Sequence, residues 1–312
     1  MNTKLKIGLA LGSGSSRGWS HIGIINELSK LGIAPSIVCG TSVGAMVGAA
    51  YATGNIEKLE AWACSLTKLD VARFLDISFS MTGFVNTERF HDFLNENIAS
   101  DEDLIEDLSK VYTAVSTDLE TGREVWLRKG SLIQAVWSSM AMPGLFPAIR
   151  HDSRWLVDGG LVNPVPVSVC RALGADIVIA VNLNGDIVGK RFNKPFNKTA
   201  DKPGTGKNAK EGVGGKITEL VKEYTNLSFF DSADDDEEQS PGLLDAIAAS
   251  VNITQDRITR SRLAGDPPDI VFSPKLSDIG LLELYRAEEA IKEGEKCVQR
   301  KINEIEYVLG AT

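Results

Sequence analysis

The sequence predicts an α/β protein built on a mainly parallel central sheet. Three observations lead there. Short apolar runs alternate with amphipathic segments through the N-terminal half, the pattern of strands joined by crossover helices. Two strand-to-helix junctions are rich in glycine, at residues 12–18 and 40–44. A further strand-like run, DIVFS at 269–273, returns after a long polar stretch. That return favours one domain over 1–312, interrupted by an insertion, over two separate domains.

Residues 6–11 (KIGLAL) read as the first strand. Residues 19–31 read as a helix, with Ile22, Ile25 and Leu28 at i, i+3 and i+6 and Gly32 as its stop. Residues 36–39 form a second strand, and 43–52 (VGAMVGAAYA) a helix of small residues able to lie close to its neighbours. Residues 111–116, 124–127 and 176–182 read as further strands. From 185 to 240 the chain is rich in Gly, Lys, Asn and Asp and ends in an acidic run, Asp234 to Glu238. Such a composition does not offset ordering entropy, so a mobile lid-like insertion is expected there, with a helix at 217–224 and an apolar edge at 227–230. Helical patterns at 243–262 and 281–308 flank the last strand.

Bulk composition narrows the function classes. Hydrophobic residues at 43% and charged residues at 24% describe an ordinary globular chain. Lys and Arg number 33 against 42 Asp and Glu, a net charge of −9, which argues against nucleic acid as a partner. It also gives no overall attraction to an anionic membrane, although a transient contact through a local patch stays open. Cys39, Cys64, Cys170 and Cys297 form no CxxC pair, so reduced thiols and no metal site are expected. The apolar run after Lys4 and Lys6 is too short for a signal peptide, and no stretch approaches the ~20 apolar residues of a membrane span. A cytoplasmic protein is the expectation.

The glycine-rich loop GSGSSRG at 12–18 admits three readings. As a dinucleotide fingerprint its spacing, Gly12-x-Gly14-x-x-x-Gly18, is one residue too long, and the next strand ends in Cys39-Gly40-Thr41 without a carboxylate for the ribose. As a Gly-x-Ser-x-Gly nucleophile motif it centres on Ser16, but bulky Arg17 and Trp19 follow. As a row of backbone N–H groups it would serve a site elsewhere. A second Gly-x-Ser-x-Gly, Gly40-Thr41-Ser42-Val43-Gly44, has compact flanks and a small-residue helix behind it. An elbow needs that spacing because bulk on either side of a serine in a strained turn would strike the backbone. Ser42 is therefore the preferred nucleophile; for Ser16 the plainer role of capping a helix is preferred.

A serine nucleophile needs a base. The hydrolase order is serine, acid, histidine, and the three histidines serve it badly. His21 precedes Ser42, His91 follows an irregular-looking stretch, and His151 sits in the charged, turn-like RHDSR. Asp158, in Leu156-Val157-Asp158-Gly159-Gly160, is the better candidate, its plain alternative being an Asp-Gly turn.

Taken together, the loop at 13–18, the elbow at 40–44, the Asp158-Gly159-Gly160 turn, SMAMPGLFP at 139–147 and NPVPV at 163–167 resemble the patatin-like phospholipase family, and its small bacterial members in particular. The resemblance covers roughly residues 5–185. It implies a three-layer α/β/α fold and a Ser–Asp dyad that uses no histidine, cofactor or metal. Ser42 would attack an acyl carbonyl and Asp158 would act as base. Gly40 and Gly44 would shape the elbow, and Gly159 and Gly160 the aspartate loop. Backbone N–H groups of Gly14, Ser15, Ser16 and Arg17 would face the oxyanion, at the positive end of the following helix. The substrate would be a lipid or other acyl ester. A regulatory protein keeping the fold, or an acyltransferase, remain the alternatives. One departure stands out: the family loop is usually Gly-Gly-Gly-x-Arg-Gly, and here Ser13 and Ser15 replace glycines. Wherever such a position needs positive φ, serine strains the loop and lowers or narrows activity.

Overall fold

A computed structural model of the chain describes residues 5–74, 87–186 and 243–310. Eight strands form its sheet: β1 (Ile7–Leu11), β2 (Ile37–Thr41), β3 (Val111–Asp118), β4 (Glu124–Leu127), β5 (Ile149–His151), β6 (Arg154–Asp158), β7 (Ile177–Val181) and β8 (Ile270–Phe272). Hydrogen bonding links them in the order β5-β6-β3-β2-β1-β7-β8, with β4 also on β3. The run β3-β2-β1-β7-β8 is parallel throughout. The remaining pairs, β3 with β4, β3 with β6 and β5 with β6, are antiparallel.

The period-two alternation of the parallel strands produces the layers. Leu9, Leu11, Val38, Ile179 and Val181 face one core. Ala10, Ile37, Cys39, Val178 and Ala180 face another on the opposite side of the sheet. Strands buried on both faces read as continuous apolar runs, as these do. The larger core is covered by α1 (Ser20–Lys30), α2 (Val43–Thr53), α3 (Ile56–Ser65), α5 (Thr87–Asn97), α6 (Leu132–Met140) and α9 (Ala287–Gln299). The smaller is covered by α7 (Val167–Ala172), with Leu263 of α8 (Leu243–Gly265) against it. The fold is three-layered α/β/α. Two short helices, α4 (Lys68–Phe74) and α10 (Ile302–Leu309), complete the α-helices among the described residues, and a 3-10 turn over Ser15–Trp19 leads into α1.

Two expectations need correction. The single helix expected over 281–308 is a 3-10 turn at Leu284–Arg286 followed by α9 and α10, with a break at Arg300 and Lys301. The buried stripe Ala287, Ala290, Ile291, Gly294, Cys297, Val298 reaches Lys301 at its next position, so the chain turns before Ile305 is buried. The stretch 80–91 leading to His91 looked irregular; residues 80–86 of it lie outside the described residues, but 87–97 form α5, whose Phe90, Phe93 and Leu94 bury one face. The charged RHDSR is turn-like as expected, the tip of the β5–β6 hairpin, with Asp152 and Ser153 both at positive φ. The insertion expected at 185–240, its helix and its apolar edge lie, from residue 187 onward, outside the described residues.

Helices α1 and α9 pack backbone to backbone. A Cβ on Gly23 would strike the carbonyl of Ile291, and one on Gly294 the carbonyl of Ser20. The two backbones touch, and that contact seats the 3-10 turn at Ser15–Trp19 against the C-terminal segment. Gly23→Ala and Gly294→Ala should each lower stability by about 2–3 kcal/mol in urea unfolding, the cost of overpacking a rigid contact. Gly265→Ala, where a Cβ meets nothing, should stay within about 0.5 kcal/mol of the parent.

Candidate active site

Register on β3 brings the site together. Thr41, the last residue of β2, pairs with Val115, and Asp158, the last residue of β6, pairs with Ser116. The opposite edge of β3 is taken by β4, through Val115 with Trp126 and Ser116 with Val125. So β2 and β6 share one edge of β3, run towards each other and meet end to end. Ser42 and Asp158 are neighbours for that reason. The Ser42 hydroxyl donates to Asp158 Oδ2 at 2.6 Å.

Ser42 is held in an uncommon conformation, φ 57° and ψ −127°, where a non-glycine residue costs about 1–3 kcal/mol. Its surroundings offset the strain. Its N–H donates to Ser139 Oγ at 2.9 Å, and Ser139 Oγ donates on to the Val115 carbonyl at 2.6 Å. Its own carbonyl accepts the first amides of α2, from Ala45 at 2.8 Å and Met46 at 3.2 Å. The elbow also needs its glycines: a Cβ on Gly40 would meet Gly44 and Ala45, and one on Gly44 the carbonyls of Leu11 and Gly12.

Asp158 is 1% exposed. Its Oδ1 accepts the Gly160 N–H at 2.7 Å, and its backbone is fixed by Thr117 Oγ1 on its carbonyl and by Ala141, whose carbonyl accepts its N–H. Burial raises the carboxyl pKa to about 6, the hydrogen bonds from Ser42 and Gly160 pulling the other way. Gly159 lies against the Val115 carbonyl.

The loop at 12–18 leaves β1 beside this pair. Ser15 has φ 52°, the strained left-handed value expected where the family has glycine; Ser13 does not. The four predicted donors do not stand alike. The Ser16 N–H donates to the Leu281 carbonyl at 3.3 Å and the Arg17 N–H to the Gly14 carbonyl at 3.3 Å. The N–H groups of Gly14 and Ser15 have no acceptor among the described residues. Ser16 Oγ turns to the carbonyls of Gly280 (2.5 Å) and Leu281 (3.0 Å), so it faces neither Asp158 nor Ser42. Arg17 is buried, its Nε on the Gly14 carbonyl at 3.1 Å and its Nη2 on Asn252 Oδ1 at 3.0 Å.

None of the histidines hydrogen-bonds Ser42 in the described structure. His21 Nε2 lies 2.8 Å from the Gly12 carbonyl, and burial lowers its pKa to about 4, so it is a neutral donor at that loop. His91 pairs with Asp101, and His151 sits beside Asp152 at the hairpin tip. All four cysteines are free thiols. A cavity of about 480 Å³ lies between β4 and the β5–β6 hairpin, lined by Trp126, Arg128, His151 and Arg154 among others, and contains none of the predicted site residues.

Sequence reasoning missed Ser139, Thr117, Asn252 and Gln255. Ser139 stood within SMAMPGLFP, already singled out, and a polar residue at the end of an apolar helix was its signal. Asn252 and Gln255 lie in α8, where nothing local distinguishes an inward-facing amide from a solvated one.

A family model described as Patatin-like phospholipase matches residues 9–171. An "Uncharacterized NTE family protein" of Mycobacterium bovis is 38% identical over 196 residues, 63% of this chain and 54% of that protein. The "Patatin-like phospholipase domain-containing protein 6" of Homo sapiens is 33% identical over 184 residues, 57% of this chain and 13% of its own length. The matched region thus spans about half of the mycobacterial relative and a small part of the human one. Among the described residues no helix is long and apolar enough to cross a membrane. By the family match over more than half of its length, the chain belongs to the patatin-like phospholipase family.

Proposed function

We propose that this protein is a serine hydrolase of lipid acyl esters working through Ser42 and Asp158. The observation that carries the reading is the 2.6 Å hydrogen bond between a serine in a strained strand-to-helix elbow and a buried carboxylate of raised pKa. Family membership, and the phospholipase domain in the name of the human relative, support a lipid ester as substrate.

Asp158 accepts the Ser42 proton as Ser42 Oγ attacks the ester carbonyl carbon. The oxyanion takes the free N–H groups of Gly14 and Ser15, preorganised donors at the end of a helical segment. Asp158 returns its proton to the leaving alcohol, leaving an acyl-serine. Asp158 then deprotonates water, which attacks the acyl carbon, and Ser42 regains a proton as the acid departs. A carboxylate with pKa near 6 is a stronger base than an ordinary aspartate and is still ionised at neutral pH. An alcohol in place of water would make the same site an acyltransferase.

Ser42→Ala and Asp158→Asn should each abolish turnover of a p-nitrophenyl acyl ester, to below about a thousandth of the parent. A fluorophosphonate should label Ser42 and not Ser16 by peptide mass analysis; labelling of Ser16 would reverse the assignment, and no labelling of folded protein would favour a binding role.

The rate should follow ionised Asp158, with kcat/KM falling tenfold per unit of pH below about 6. Stability should run the other way. Below about pH 4 both folded and unfolded chains hold this proton. Between about 4 and 6 only the folded chain does, so rising pH removes stability, and above 6 the full cost of the buried charge stands. Asp158→Asn should therefore be more stable than the parent at pH 8, by about 3 kcal/mol in urea unfolding, with the difference vanishing near pH 4.

A further inference from the structure

The family match ends at residue 171, yet the loop at 12–18 is held largely by residues beyond 250. Gln255 is the most central of them. It is 3% exposed and its Oε1 accepts two hydrogen bonds, from Ser13 Oγ at 3.0 Å and from Asn184 Nδ2 at 3.2 Å. Its Nε2 is pressed against Gly160, on the face where a Cβ would also crowd Asp158 Oδ1. One buried amide therefore touches both halves of the site: the donor loop through Ser13, and the turn whose N–H holds Asp158. Ser13 is 1% exposed, and a glycine there would leave Gln255 Oε1 without this donor.

We propose that Gln255 is a positioning residue that sets the spacing between the donor loop and the Asp158 turn, and that Ser13 stands in place of the family's glycine to engage it. The proposal rests on the Ser42–Asp158 hydrolase reading. In this arrangement the amide's positive end faces the Asp158 turn and its negative end faces the loop, so the group orients both without touching substrate. The neighbouring contact of Arg17 with Asn252, one turn earlier on α8, holds the same loop from its other end.

The test is a cycle of Ser13→Ala, Gln255→Ala and the double variant, each checked for the parent's unfolding transition. Each single change should lower kcat, and the rate of fluorophosphonate labelling at Ser42, about five- to tenfold, the worth of one hydrogen bond. KM should stay within about twofold. The double variant should be no slower than the slower single, because both delete one contact. Gln255→Glu keeps the acceptor for Ser13 and turns a carboxylate towards Asp158, so the acid limb of kcat/KM should move to higher pH. Ser13→Ala removes one hydroxyl and carries the test even where Gln255→Ala fails to fold. Parent-like kcat in Ser13→Ala, multiplicative losses in the cycle, or an unmoved limb in Gln255→Glu would each overturn the proposal. Turnover retained by Ser42→Ala would instead remove the hydrolase reading beneath it, and the two failures are distinct.

Discussion

The site depends on the head-on meeting of β2 and β6 along one edge of β3. A parallel strand and an antiparallel strand cannot both continue past the same point on a neighbour, so each ends where the other begins. Val115 and Ser116 mark that boundary, and the two chain ends it produces carry Ser42 and Asp158. Both side chains are then buried and 2.6 Å apart with no linker between them. The β5–β6 hairpin, remote in sequence from β2, exists in the sheet to deliver one aspartate to that junction.

Burial has two consequences that oppose each other. It raises the proton affinity of Asp158, which makes the carboxylate a better base, and it imposes a desolvation cost on the folded state at neutral pH. The elbow adds its own strain at Ser42. Both costs fall at the same place, and the rest of the fold offsets them: two cores on either face of the sheet, the helix backbones of α1 and α9 in direct contact, and hydrogen bonds that over-determine the elbow through Ser139 and Thr41. Strain concentrated at one residue and offset by a rigid surround is the usual condition for preorganisation.

Much of this was legible in the sequence, for physical reasons. The parallel strands were found because burial on both faces leaves short apolar runs, and the elbow because Gly40 and Gly44 admit no side chain against Leu11, Gly12 and Ala45. On the antiparallel side β4 was legible at 124–127, but the β5–β6 hairpin was not. β5 and β6 are short, half exposed and charged at the hairpin tip, so they resemble a turn until β3 is there to pair with them. The break between α9 and α10 was hidden because Lys301 continues a good helical composition while interrupting the buried stripe. Asn252 and Gln255 were hidden for the same kind of reason: their role lies in contacts across more than 200 residues, which no local pattern encodes.

The serines of the loop then take on a different meaning. A glycine loop reaches a left-handed φ at no steric cost but loses more entropy on ordering. Here Ser15 accepts the strained φ and its hydroxyl donates to the Leu281 carbonyl at 2.6 Å, while Ser16 and Ser13 reach Gly280 and Gln255. Conformational freedom is exchanged for anchoring. A loop fastened by its own hydroxyls needs acceptors at fixed places, and these come from the α8 helix and the segment before α9. The loop at 12–18 is thus shaped by the C-terminal part of the chain as much as by its own sequence. That coupling is how two departures from the glycine pattern are held while the N–H groups of Gly14 and Ser15 keep no acceptor among the described residues.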